Sequence, residues 1–393
     1  MALQLVNDHD FIDFQADLEI LPENHAQTIR REPNTVYHDD FALRELKSAY
    51  PLLYEQYLEG WSRSFYTKED HMKAIMQYSY PNIPIEAVNE NLYNQAINAT
   101  LERLRSLPTV RAIDVLTDLD SVSFEPTSSA GYGYNGVKGD SLGEIHKQAI
   151  RRAKATLWSA IRTEDEGIDH VIRTFVPDVG YTRTQLTQHR EKTKVRGVWG
   201  RCFHYILLEG TAAQPLLDAF KAGTTFLHIG QDPKQSVPNL LSSISNHCKW
   251  LMALDWSSFD ATVSRFEIHA AFDILKQFVQ FPNVETEQAF EISRQLFIHK
   301  KIAAPDGKIY WSHKGIPSGS YYTSIIGSVV NHLRIEYIFR TVTGNGPKVC
   351  YTQGDDSIIG LDSYIDPSLL SEAAQPLGWV LNPAKTETEA VGM

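Results

Sequence analysis

Apolar positions along the chain follow two periods, which predict helices interleaved with short strands. Leu53, Tyr57, Leu58 and Trp61 recur at helical spacing, as do Ile97, Leu101 and Leu104, so residues 1–125 are expected to be mainly packed helices. The second of these helices is expected to stop near Leu107, ahead of Pro108. Ile268, Phe272, Leu275 and Val279 mark one face of a further helix, and Ile326, Val330, Leu333 and Tyr337 one face of a long one. Shorter apolar runs predict strands. Leu251 to Leu254 reads as a buried strand, and Lys301 to Trp311 as a hairpin about the turn Pro305-Asp306-Gly307. β-Prone residues run from Val349 up to Gly354 and resume at Ile358, the pattern of two strands joined by a tight turn. Asp366 to Ala374 reads as helix and Gly378-Trp379-Val380-Leu381 as strand. No internal repeat or low-complexity segment interrupts this order.

Composition narrows the class. A chain of 393 residues exceeds one simple core, so two or more lobes sharing a groove are expected. Met1 to Asp10 carry neither a basic nor an apolar leader segment, so no signal peptide is expected. No apolar run reaches the roughly 18 residues that cross a bilayer, so no membrane partner is expected. Cys202, Cys248 and Cys350 lie far apart and read as reduced thiols rather than a disulfide framework or zinc site. The formal net charge of −11 excludes a surface that is basic throughout, so any nucleic-acid contact has to be local.

Candidate chemistry sits in five stretches. Thr127 to Gly136 is a loop of small residues carrying Ser129, Gly131, Tyr132 and Tyr134. Its backbone can approach a ligand closely, and both tyrosines could stack on bases of a single strand; it could equally be a solvent loop. From His146 to Arg201 the balance inverts, with twelve basic residues against six acidic ones. Within it Lys192, Lys194 and Arg196 alternate with Thr193, Val195 and Gly197, which on a strand sets all three cations on one face. Such a comb suits a polyphosphate, although lysines also guard solvated edge strands. Asp255 falls at the end of the strand beginning at Leu251, and Asp260 follows at a helix start that would favour a carboxylate. Ser318, Gly319 and Thr323 lie on a loop opening the long helix, where hydroxyls and amides could meet a phosphate or ribose or simply cap the helix. Asp355 and Asp356 occupy the turn after Gly354, and two adjacent carboxylates there are best accommodated by a divalent cation.

The ordered set, with Ser128-Ser129-Ala130-Gly131-Tyr132-Gly133-Tyr134, Lys192-Thr193-Lys194-Val195-Arg196-Gly197-Val198-Trp199-Gly200 and Pro317-Ser318-Gly319-Ser320, resembles the motif series of viral RNA-dependent RNA polymerases. The wording looks most like the partitivirus group of double-stranded RNA viruses. The resemblance implies an α+β, right-hand polymerase fold with helical fingers and an antiparallel-sheet palm. It assigns 1–245 and 265–310 to fingers, the loop 127–136 and the basic strand 192–201 included, and 246–264 and 311–393 to palm. It implies template-directed nucleotidyl transfer with two Mg²⁺ ions, Mn²⁺ being a possible substitute. Asp255, Asp355 and Asp356 would be the metal ligands. Lys192, Lys194 and Arg196 would cover the triphosphate, Asp260, Ser318 and Thr323 would sense the ribose, and Gly319 and Asn331 would also belong to the nucleotide site. Ser129, Gly131, Tyr132 and Tyr134 would touch the template, and Lys385 would protonate pyrophosphate. Positive-strand RNA virus polymerases place Asn four residues after the motif threonine. Here Gly327 stands there and Asn331 comes one helical turn later, as in partitivirus-like sequences. The implied partners are RNA template, product duplex, nucleoside triphosphates and a viral capsid protein, in the host cytoplasm inside the virion.

Eight residues follow Lys385, too few for a helical lobe, so a thumb is expected to be absent from this chain. Two rivals remain at this stage. A reverse transcriptase usually shows an aromatic-x-Asp-Asp tip, whereas here Gly354 precedes the pair. A non-catalytic RNA-binding or capsid-associated protein with the same fold would have no need of three intact aspartates.

Overall fold

The computed structural model describes residues 13–29, 39–162, 167–183, 185–188 and 195–391. Lys192 and Lys194 lie outside the described residues. Two larger sheets organise what is described. One has four strands in the order Val349–Gln353, Asp356–Leu361, Trp250–Ala253, Glu387–Ala390, all antiparallel. The other has five, in the order Leu18–Asn24, Lys308–Ser312, Lys300–Ala303, Asp178–Arg183, Arg196–Gly200. In this second sheet only the contact of Asp178–Arg183 with Lys300–Ala303 is parallel.

The long helix Thr323–Thr343 joins the two regions. Every residue from Ile325 to Phe339 is buried, so the expected single apolar face is a helix enclosed on all sides. Helices Glu90–Arg103 and Arg265–Lys276 pack on it beneath the four-stranded sheet. Phe272 lies against Phe290, Phe297 and Tyr322 with ring centroids 4.9–5.6 Å apart. Each buried ring of this kind contributes about 1.5–3 kcal/mol. Ser264 and Glu267 form a reciprocal cap that sets where the helix Arg265–Lys276 begins.

Several expected elements differ. The helix spacing through Leu53 and Tyr57 produces a helix, Pro51–Tyr57, but neither it nor Asp40–Ala49 buries a residue, and Trp61 lies on the strand Trp61–Arg63. The helix carrying Ile97 and Leu101 ends at Arg103, with the turn through Leu107 completing the descent to Pro108. Gly378 to Leu381 is not a strand. Only Leu381 makes an isolated bridge, to Trp256, and the strand of this region is Glu387–Ala390. Position 311 falls within Lys308–Ser312, and residues 265–310 divide between the long-helix core and the five-stranded sheet.

Candidate active site

The acidic turn is built by the hairpin Val349–Gln353 and Asp356–Leu361. Gly354 has φ +62°, the left-handed conformation the turn requires and glycine tolerates without strain. The neighbouring strand Trp250–Ala253 pairs Met252 with Ile359 and Trp250 with Leu361. Extending that register sets Asp255 opposite Asp356. Ser258 follows with φ +52°, unusual for a side chain with Cβ, and turns the chain into the short helix that carries Asp260.

The hairpin is held from below by neutral groups of the long helix. Asn331 is fully buried; its Nδ2 donates to the carbonyls of Gly354 (2.9 Å) and Asp356 (3.1 Å). Its Oδ1 accepts the Trp256 indole N–H at 2.8 Å. Ser328 Oγ accepts the Gly354 amide at 2.8 Å. Asn331 is therefore enclosed as a brace of the turn, out of reach of a ligand, which corrects the nucleotide contact expected of it. A Cβ on Gly327 would lie 3.5 Å from Gly354 Cα.

The carboxylates influence one another. Burial raises Asp356, Asp355 and Asp255 raise it further, and Arg196 opposes them. Asp260 is raised to about 7, first by burial and then by Asp355, against the pull of Arg196 and Lys300. Asp255, Asp260, Asp355, Asp356 and Arg196 thus share one electrostatic neighbourhood, drawn from three separate stretches of chain. Among the described residues no three acidic, His or Cys side chains close into a metal-holding cluster. The carboxylates flank the site rather than forming a cage.

Opposite the hairpin lies the basic strand Arg196–Gly200, at the edge of the five-stranded sheet. Arg196 pairs across the ladder with Arg183, both exposed. Like charges directly opposite are unfavourable unless an anion lies between them, which makes Arg183 a candidate that spacing alone did not single out. The strand's outer edge is covered by the Ser-Gly loop. Ser318 Oγ accepts the Trp199 amide at 3.1 Å, which leaves the hydroxyl proton free to donate. A Cβ on Gly319 would lie 1.9 Å from the Trp199 carbonyl, so only glycine permits this approach. Thr323 Oγ1 donates to the carbonyls of Pro317 and Ser320 at 2.6 and 2.9 Å.

The loop 127–136 docks behind that strand, with the Phe203 amide donating to Ala130 O at 2.9 Å. Ser129 Oγ meets Tyr181 OH at 2.9 Å, and Gly131 packs on Cys202. Tyr132 keeps partial exposure. Tyr134 does not: its ring is 6% exposed, its hydroxyl meets His204 Nδ1 at 2.9 Å, and the Arg152 guanidinium lies 4.4 Å from its centroid. The base-stacking expected of Tyr134 is thereby corrected. Arg201, counted with the basic stretch, is buried on Asp178 and Glu209 and offers no charge to a ligand. Lys385 is exposed on a turn whose neighbours Asn382 and Thr386 hydrogen-bond the Asp255 backbone.

The family model described as viral RNA-dependent RNA polymerase matches residues 37–392. The chain belongs to that family. It is 35% identical over 124 residues to an RNA-directed RNA polymerase of Cryptosporidium parvum virus 1, covering 30% of this chain and 23% of that protein. It is 26% identical over 205 residues to the genome polyprotein of Southampton virus, 50% of this chain and 11% of the polyprotein. The match to the genome polyprotein of a bovine enterovirus is 29% identical over 146 residues, 36% of this chain and 6% of that polyprotein. The chain thus spans less than a quarter of the length of these curated relatives. Members of this family generally use divalent metal ions, and no described helix is long and apolar enough to cross a membrane.

Proposed function

We propose that this chain performs template-directed RNA synthesis, transferring nucleotidyl units from nucleoside triphosphates to a primer 3′-hydroxyl. The observation that carries this reading is the shared field of Asp255, Asp355, Asp356 and Arg196. Three carboxylates facing a guanidinium are the charges that phosphoryl transfer needs, since that reaction is mostly positioning and charge stabilisation. Hard carboxylate oxygens suit Mg²⁺ or Mn²⁺, and Mg²⁺ needs only one or two carboxylates when substrate phosphates complete its shell, which fits acids that flank rather than enclose. Two bound ions would activate the hydroxyl and neutralise the leaving pyrophosphate.

The chain's own residues do the rest. Arg196, with Lys192 and Lys194, draws in the triphosphate, and Arg183 extends that cationic face. Ser318 and Asp260 address the ribose hydroxyls, while Thr323 and Gly319 fix the loop that presents Ser318. Lys385, on the turn whose Asn382 and Thr386 hydrogen-bond the Asp255 backbone, supplies a proton to pyrophosphate. Ser129, Gly131 and Tyr132 line the template side, with Tyr134 supporting them from beneath. On this reading the four-stranded sheet and long helix form the palm and the five-stranded sheet belongs to the fingers. The partitivirus-like wording extends the reading to a double-stranded RNA genome, a capsid partner and work inside a virion in the host cytoplasm.

Primer extension on an RNA template tests the proposal. The purified chain is expected to incorporate ribonucleotides, and to prefer them to deoxyribonucleotides. Preference for deoxyribonucleotides would point to a reverse transcriptase. RNA binding without incorporation under any divalent ion would point to a non-catalytic member of the fold.

A further inference from the structure

A buried ion cluster outside the acidic site reaches the Ser-Gly loop. Arg201, at the end of the basic strand, is 1% exposed at its side chain. Its Nε donates to Glu209 Oε1 at 2.8 Å, Nη1 to Asp178 Oδ2 at 3.1 Å and Nη2 to the Leu296 carbonyl at 2.8 Å. Glu209 spends its other oxygen elsewhere. Oε2 accepts the Ser320 hydroxyl at 2.9 Å and the Tyr321 amide at 2.8 Å. Ser320 Oγ in turn accepts the Tyr322 amide at 3.1 Å. Glu209 belongs to the helix Phe203–Ala222, and 111 residues separate it from Ser320.

A buried carboxylate bridging a guanidinium and a loop is costly to desolvate, and a hydrophobic replacement would often hold the fold as well. What it supplies is directional: two charge-assisted bonds that fix one loop conformation. The loop is held two residues earlier too, where Trp199 N–H meets Ser318 Oγ. Trp199 and Arg201 therefore hold the loop at Ser318 directly and at Ser320 and Tyr321 through Glu209, from the end of one strand and the residue after it. That strand also carries Arg196.

We propose that Glu209 is a positioning residue that sets the Ser-Gly loop for sugar selection and couples it to the triphosphate-binding strand. The inference rests on the polymerase reading, in which Ser318 senses the ribose. Glutamine at 209 keeps the volume but cannot serve both sides. Its amide NH₂ either faces the Arg201 donor or displaces the acceptor from Ser320 and Tyr321.

Two measurements on the full chain test this. Hydrogen exchange of residues 318–322 is expected to quicken about tenfold in Glu209→Gln, and less in Ser320→Ala, with exchange in the hairpin 349–361 unchanged. In single-nucleotide incorporation, Glu209→Gln is expected to lower the ratio of ribo- to deoxyribonucleotide kcat/KM about tenfold. Unchanged loop exchange in both variants would overturn the clamp. Faster exchange with an unchanged sugar ratio would overturn its role in selection, because a purely structural loss slows both sugars alike. A wild-type chain that incorporates nothing would overturn the polymerase reading on which selection rests. The exchange data keep that failure distinct from failure of the clamp.

Discussion

The two walls of the site are held in opposite ways. The acidic hairpin rests on neutral partners: an amide, an indole N–H and a serine hydroxyl from Asn331, Trp256 and Ser328. The Ser-Gly loop rests on ions: Glu209 with Arg201, and two buried lysines. Lys300 donates to the carbonyls of Lys314 and Gly315, and Lys314 donates to the carbonyl of Ala261. Burial drives the Lys300 ammonium well below its ordinary pKa. The contrast has a physical logic. A wall that must present carboxylates gains nothing from further charge beneath it, whereas neutral donors hold its carbonyls without altering its field. The opposite wall faces an anionic substrate, and because the Arg201 charge behind it is spent on Asp178 and Glu209, its ions fix geometry and leave Arg196 to meet the anion.

Removing the central cation breaks the ionic wall most. Arg201→Met leaves Asp178 and Glu209 buried without their partner and is expected to cost about 3–5 kcal/mol at neutral pH. Burial already raises Asp178, with Arg201 holding it back. Without Arg201 the Asp178 carboxyl can protonate, so the loss should shrink in denaturant melts at pH 5. Asn331→Ala strips the neutral wall of three hydrogen bonds and should cost about 2–4 kcal/mol. That loss should be the same at pH 5 and pH 8. Matching pH dependence in the two variants would erase the distinction between the walls.

Asp260 sits where the walls meet. With its carboxyl raised to about 7, the folded chain keeps a proton that the unfolded chain releases at about pH 4. Its stabilising share is full below pH 4 and lost as pH rises through 7. Asp260→Asn should therefore be the more stable protein at pH 8. We expect a gain of about 1–2 kcal/mol, tempered by the carboxyl's partial solvent contact, with little difference at pH 4. Equal stability at pH 8 would mean that the site does not strain this acid. The smallest effect belongs to Ser258, whose left-handed backbone glycine adopts freely. Ser258→Gly is expected to raise thermal stability by about 1 kcal/mol, and a fall would show that the serine side chain holds the turn.

The acidic wall was legible in the sequence because its chemistry is local. Gly354-Asp355-Asp356 is a turn flanked by β-prone residues, and Asp255 ends an apolar run. What holds the walls was not legible. Ser328, Asn331, Arg334 and Glu336 look like the wet face of an amphipathic helix, yet all are buried and hydrogen-bonded. Arg201 adds to a run of positive charge by composition, and only its long-range partners withdraw it from solvent. Glu387-Thr388-Glu389-Ala390 has too little apolar character to signal a strand, but it needs only an edge place beside Trp250–Ala253. Gly378 to Leu381 has the apolar character and forms no strand, because Trp379 and Leu381 are buried as plugs from an irregular segment. Periodicity reports local burial, and the positioning network joins residues from 8 to 119 positions apart.

Nucleotide incorporation by Asp355→Asn, measured beside its thermal melt, tests the central claim most directly. Asp355 lies on an exposed turn and pairs with no described cation, so the substitution should leave the melting temperature near that of the wild type. Removing its charge should take primer extension with ribonucleotides down to background. A folded Asp355→Asn chain that extends primers at the wild-type rate would contradict the account.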